Sequence, residues 1–272
     1  MTSDHSRPHP GRTPPIDPDS PPIQLDDLRY QVDSKVVLDG VNLTVHRGEI
    51  VAIMGRTGCG KTTLLRLVIG LVRPTSGAVR IHGIDLSSLS ERQLDELRTG
   101  MGLVFQGAAL FDSMTVFDNV AFALVEHRRM DRREVAGRVE ELLKMVDMAG
   151  SEGLMPAQLS GGMRKRVAVA RALALQPSIM LYDEPTAGLD PISAAALDDL
   201  IRSLRDRVGV TSLVVSHDLD SLRRISDRAA LLHGGRFLAV GPMAQLQRDS
   251  NPAVRQFLAG SPDGPLTEGT RY

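Results

Sequence analysis

Ile50-Val51-Ala52-Ile53-Met54 runs straight into Gly55-Arg56-Thr57-Gly58-Cys59-Gly60-Lys61-Thr62. Five apolar residues in a row read as a buried strand. The eight that follow fit G-x-x-x-x-G-K-[ST] at every fixed position, and a helical pattern, Lys61–Gly70, comes next. Strand, glycine-rich turn and helix in that order form a polyphosphate cradle. The glycines let backbone N–H groups point inward, and the helix N-terminus adds its positive end. Lys61 is placed to neutralise the β and γ phosphates, and the Thr62 hydroxyl to ligate Mg²⁺. Gly55, Arg56, Thr57, Gly58, Cys59, Gly60 and Thr63 complete the expected phosphate-binding set.

Working outward, two more strands end in chemistry. Ile179–Tyr182 runs into Asp183 and Glu184, and Leu213–Ser216 into His217. Ligands bind at strand ends in an open α/β sheet. Asp183 is expected to hold Mg²⁺ and Glu184 to polarise an attacking water, while His217 could reach a γ-phosphate. Gln106 closes the short apolar run Leu103–Phe105 and offers an amide to Mg²⁺ or water. Leu159-Ser160-Gly161-Gly162-Met163 is a second cradle: Ser160 is a good N-cap and its glycines leave the helix N-terminus bare. One chain does not need two cradles for one nucleotide. A head-to-tail pair, each chain's Ser160 helix covering the other's nucleotide, is the arrangement this predicts. Arg164, Lys165 and Arg166 add positive charge to that helix, or form a solvated basic face.

Between these points, short apolar runs (Val36–Leu38, Val41–Val45, Val79–Ile81) alternate with helical patterns. This predicts an α/β domain with a mainly parallel sheet and a small antiparallel part, in which Gly40 separates two strands. Residues 107 to 165 are helical without strands, as an inserted subdomain would be. Seven prolines in residues 1–22 and few large apolar side chains there predict a disordered tail. The segment after Gly260 (Ser-Pro-Asp-Gly-Pro) reads as turn-rich and extended.

Composition agrees with an ordinary globular chain of 272 residues, 42% hydrophobic and 24% charged. Thirty-two Lys and Arg against 33 Asp and Glu leave no basic excess, which argues against nucleic acid as a partner. A single cysteine, Cys59, excludes an internal disulfide. Its place near Lys61 and a helix N-terminus is consistent with a reactive thiolate, and its size with an inert buried thiol. The absence of a long apolar run or signal-peptide core leads to the expectation of a cytoplasmic protein that reaches a membrane only through a partner.

Taken together these residues resemble the ATP-binding subunits of ABC transporters over about 23–240. That likeness implies a RecA-like P-loop ATPase core with an inserted helical subdomain, followed by an extension at 241–272. In its terms Gly55–Thr62 is Walker A and Gln106 the Q-loop. Leu159–Met163 is the signature, Ile179–Asp183 Walker B and Glu184 the catalytic base. Ala187-Gly188-Leu189-Asp190 is the D-loop, His217 the switch histidine and Tyr30 the adenine-stacking aromatic. It also implies ATP and Mg²⁺ as cofactors and a homodimer that closes on two nucleotides. Two motifs depart from the common pattern: Met163 stands where Gln is usual, and the D-loop has Ala-Gly for Ser-Ala.

A finer likeness, to the Mla/Mce-type lipid-transport ATPases, rests on Val104–Phe111, Thr115–Val120, the Leu-Ser-Gly-Gly-Met signature and Val254–Gly260. It implies phospholipid transport through a separate permease, an Mce-domain substrate-binding partner, and a peripheral position on the cytoplasmic face of the bacterial inner membrane. An ABC subunit for another small solute is the alternative. DNA-acting members carry a long coiled-coil insertion between Q-loop and signature, and ribosomal members usually carry two cassettes; this chain has neither.

Overall fold

The computed structural model describes residue 14, residues 16–127 and residues 130–267. Most of the expected tail, residues 1–13 and 15, lies outside the described residues. The end of that segment is tied down rather than disordered. Arg47 donates to the Pro18 carbonyl at 2.7 Å, His82 N–H to the Pro22 carbonyl at 3.1 Å, and Ser20 caps a turn on Asp17. Local Asx turns and main-chain acceptors hold it without an apolar core.

Two sheets carry the fold. The first is antiparallel, in the order β2 (Lys35–Val45), β1 (Ile23–Val32), β4 (Ser76–Ile81), β5 (Ile84–Asp85). The expected break at Gly40 is not there. Gly40 takes φ 75° inside β2, and shifts in the β1 pairing take up the irregularity, so one strand spans both apolar runs. Where β4 meets β1 the backbones touch. A Cβ on Gly77, at φ +78°, would lie 2.3 Å from the Asp27 carbonyl oxygen and 2.5 Å from that of Asp26. Gly77→Ala is therefore expected to cost about 2–5 kcal/mol from overpacking and left-handed backbone. The check is a fall in the denaturation midpoint.

The second sheet has the order β10 (Arg236–Gly241), β9 (Arg228–His233), β3 (Ile50–Met54), β8 (Thr211–Ser216), β7 (Ile179–Asp183), β6 (Met101–Val104). All its pairs are parallel except β10 with β9. Its central strands are buried on both faces, which is why they read as unbroken apolar runs. Ile50, Ala52 and Met54 face one core with Met180, Tyr182 and Val214. Val51 and Ile53 face another with Leu181, Leu213 and Val215, shared with the antiparallel sheet and α1 (Lys61–Val68).

The first core extends into α3 (Val116–His127), α4 (Arg132–Met145) and α5 (Gly161–Ala172). α2 (Glu91–Arg98) starts at a Ser90–Gln93 capping box and α4 at an Asp131–Glu134 one. Buried Asn119 makes four hydrogen bonds to the main chain of Phe111, Met114 and Thr115, which tie the loop before α3 to that helix. After β7 come α6 (Pro191–Val208) and α7 (Leu219–Ile225).

The C-terminal part differs from its expectation. After α8 (Met243–Leu246) and α9 (Pro252–Ala259), Gly260 caps the helix with a left-handed turn and the chain folds back instead of extending. Leu266 is buried, its N–H donates to Gln256 Oε1 at 2.7 Å, and its carbonyl accepts from Arg56 at 2.8 Å.

Candidate functional site: a phosphate cradle beside three strand ends

β3, β7 and β8 are parallel neighbours, so their C-terminal ends lie side by side, and each hands on a functional residue at the same level. A cavity of about 510 Å³ opens there. Its walls are Lys35–Val37, Thr57–Thr63, Gln106, Glu184, His217 and Gly234–Gly235.

The loop turns back on itself around Lys61. The Lys61 ammonium is buried, donates to the Gly55 carbonyl at 2.8 Å and the Arg56 carbonyl at 3.3 Å, and lies 3.5 Å from Glu184 Oε1. Gly55 must lack a side chain, because a Cβ there would come within 2.6 Å of the Leu232 carbonyl oxygen and 2.7 Å of Cys59 Sγ. The Thr62 hydroxyl donates to Asp183 Oδ1 at 3.1 Å. Burial, partly offset by that hydrogen bond, pushes the Asp183 carboxyl above the ordinary carboxylate range.

Glu184 sits just past the end of β7 with φ 48°, the left-handed region. Its N–H donates to the Val215 carbonyl at 2.9 Å. Its Oε2 accepts from Ser216 Oγ at 3.0 Å and His217 N–H at 3.3 Å, and lies 2.9 Å from His217 Nδ1. The carboxylate is thus gripped from one side, and Oε1 is turned toward Lys61.

These residues fit a Mg-nucleotide. Thr62, Asp183 and Gln106 offer oxygen donors, the type a hard divalent cation takes. Among the described residues no group of three His, Cys, Asp or Glu could hold a metal ion. A cation resting on one carboxylate, a hydroxyl and substrate phosphates matches the usual economy of Mg²⁺ sites.

Not every expected residue reaches the cavity. Arg56 turns away, to Leu266. Tyr30 pairs with Leu38 and packs half-buried on the second core, and the wall next to it is formed by Lys35, Val36 and Val37. Ser160, Gly161 and Gly162 lie outside the cavity; Ser160 Oγ accepts from Met163 N–H at 3.2 Å and caps α5.

The basic run after Met163 is only partly a solvated face: Arg164 is exposed and Arg166 half-buried. Arg164 donates to the Leu159 carbonyl at 2.7 Å, and Arg166 to the Val146 carbonyl and to Asp147. Lys165 is buried. Sequence reasoning also missed Ser216 as a holder of Glu184, and Gly234–Gly235 as a wall. A serine at a strand end carries no signal of what it will face.

For Cys59 the inert reading is favoured. Burial pushes its thiol up, against a smaller opposite pull from Lys61. A raised pKa leaves less thiolate at a given pH. Maleimide at pH 7 is therefore expected to modify Cys59 more slowly than free glutathione, and to speed up as pH rises past the usual thiol range. A rate above that of glutathione overturns this.

The chain is similar to known proteins over most of its length. Residues 38–187 match the ABC transporter family. The chain is 41% identical over 244 residues to the intermembrane phospholipid transport system ATP-binding protein MlaF of Haemophilus influenzae, covering 90% of this chain and 92% of that one. MlaF of Escherichia coli K12 is also 41% identical, with 91% of its length covered. A probable ribonucleotide transport ATP-binding protein, mkl, of Mycobacterium tuberculosis is 39% identical over 90% of this chain and 68% of its own. Among solved structures, the dimeric post-hydrolysis ATP-binding cassette MJ0796 with ADP and Pi is 34% identical, with TM-score 0.74 over 81% of this chain and 98% of that one. CbiO1 of Clostridium perfringens, part of the transporter complex cbiONQ, is 28% identical, with TM-score 0.79 over 90% and 97%. With the phosphate loop, the strand-end carboxylates and this breadth of likeness, the chain belongs to the ABC transporter family.

Proposed function

We propose that this chain is the ATP-hydrolysing subunit of a phospholipid transporter. It would work as a homodimer on a separate membrane permease, with an Mce-domain substrate-binding protein in the same complex. The observation that carries the reading is the 41% identity, across nine-tenths of the chain, to phospholipid transport ATP-binding proteins.

The residues divide the work as follows. Lys61 and the loop N–H groups hold the polyphosphate and offset its charge. Thr62, Asp183 and Gln106 would hold Mg²⁺, which when bound neutralises charge at the transferring phosphoryl group. Glu184 orients the attacking water and takes its proton. Ser216 and His217 keep that carboxylate from turning away. Ser160, outside its own chain's cavity, is free to serve a partner's nucleotide, and the dimeric state of MJ0796 supports that arrangement.

An apolar surface beside Gln106 supports a permease as partner. Phe105, Phe111 and Phe122 are each about two-fifths exposed and Val125 more so. The rings of Phe111 and Phe122 are 5.0 Å apart, and Arg171 lies over Phe111. Among the described residues no helix is long and apolar enough to cross a membrane. A peripheral place on the cytoplasmic face of the bacterial inner membrane, through the permease, agrees with that.

The test is to purify the complex through a tag on this chain, extract it with organic solvent, and assay ATP turnover in vesicles with and without phospholipid acceptor. Bound phospholipid and phospholipid-dependent turnover are expected. A complex that carries no lipid and responds to ribonucleotide or another small solute would favour the reading suggested by mkl. Ser160→Arg in the same complex is expected to abolish turnover while the isolated chain still binds ATP. A Ser160→Arg complex that hydrolyses ATP normally overturns the shared site.

A further inference from the structure

Lys165 is the one cation in the Arg164–Arg166 run that is buried, at 5% exposure. A buried ammonium is costly unless its protons are satisfied. Here Nζ donates to the Gln106 carbonyl in a short hydrogen bond and to the Glu184 carbonyl at 3.3 Å. Both acceptors are main chain. They belong to the two residues whose side chains line the cavity from β6 and β7, and the donor belongs to the helix that begins at Ser160. One ammonium therefore joins three segments far apart in sequence: the turn after β6, the end of β7 and the first turns of α5.

The Glu184 backbone needs such a hold. It is a non-glycine residue in the left-handed region, a conformation that persists only where surroundings over-determine it. Val215 takes its N–H, while Ala187 N–H and Lys165 share its carbonyl. Packing alone would be served by an apolar side chain. Burial draws the Lys165 ammonium below its ordinary range, and the charges of Asp183 and Glu184 offset only part of that.

We propose that Lys165 is a positioning residue for hydrolysis: it ties the Ser160 helix to the carbonyls of Gln106 and Glu184, and so fixes both side chains at the reacting phosphate. The proposal rests on the assignment of Glu184 as the water-orienting carboxylate. It makes the chemical step sensitive to where the helical subdomain sits. When α5 shifts against the sheet, the ammonium carries the shift to the Glu184 backbone.

The experiment uses the full chain in complex with its permease. Lys165→Met keeps length and burial but removes the donors; Lys165→Gln keeps a donor without the charge. For Lys165→Met, kcat is expected to fall about tenfold or more, with KM for ATP and nucleotide Kd within about threefold of the parent, as for a misplaced catalytic group. Lys165→Gln is expected to restore kcat to within about threefold of the parent if the tie, and not the charge alone, is what matters. Lys165→Ala carries the same expectation as Lys165→Met and replaces it should that variant not assemble. The proposal is overturned if the donor-less variants turn over like the parent. It is equally overturned if their loss lies in KM and Kd, or if Lys165→Gln falls as far as Lys165→Met. Glu184→Gln, run alongside, separates the two ideas: normal hydrolysis by that variant removes the underlying assignment, whatever the Lys165 variants do.

Discussion

Glu184→Gln is expected to reduce ATP turnover about 10²- to 10⁴-fold, the range lost with a general base, while leaving nucleotide binding in place. The argument is one of near-identity in shape. The amide oxygen can still accept from Ser216 Oγ and His217 N–H, which now hold Oε2 at 3.0 and 3.3 Å, so the side chain keeps its orientation. What disappears is the ability to take a proton from water and the negative charge 3.5 Å from Lys61. With that charge gone, Lys61 has one fewer competitor for phosphate, and binding is expected to hold or tighten. The variant should therefore collect as an ATP-bound dimer, visible by size-exclusion chromatography with nucleotide retained after desalting. Near-normal phosphate release in the purified complex would remove Glu184 from its role.

Lys61→Ala is expected to fail at the earlier step. Loss of a charge-assisted hydrogen bond costs about 1.5–3 kcal/mol, or about 10- to 150-fold in Kd. The structure adds a second cost. Lys61 Nζ is also the donor that satisfies the Gly55 and Arg56 carbonyls, so its removal leaves two loop acceptors without that partner and loosens the turn that shapes the cradle. Titration calorimetry on the isolated chain reads this directly. The two variants thus separate along the reaction, with Glu184→Gln bound but inert and Lys61→Ala unbound. A Lys61→Ala chain that binds ATP as the parent does would remove Lys61 from the phosphate site.

What could be read from the residues follows from range. The phosphate loop was legible because strand, glycines, lysine and helix are contiguous, and sterics and hydrogen bonding act within the segment. Asp183 and Glu184 were legible because a strand buried on both faces ends where carboxylates begin. Tyr182 within that strand is fully buried, as its apolar neighbours required. The failures involve partners distant in sequence. Strand β1 carries Asp26 and Asp27, residue types common in turns, yet it continues: Asn42 on the neighbouring strand accepts the Asp27 N–H at 2.9 Å. Lys165 looked like one of three surface charges, since nothing beside it in the chain reveals that the carbonyls of Gln106 and Glu184 will surround it. Tyr30 was assigned from the family resemblance, by its place just before the Val36–Leu38 run, and which way a strand residue faces depends on a register that the β1–β2 irregularities shift.

The hydrogen bond from Arg56 to the Leu266 carbonyl joins residues 210 apart in sequence. Translated at about 5–20 residues per second, that separation amounts to about 10–40 s of synthesis. Throughout that interval a nascent chain already has its Gly55–Thr62 loop, without the contact that holds Arg56 aside. The Arg56–Leu266 tie can form only once Leu266 has been made, which is later still than β8 and β9, the two strands that flank β3.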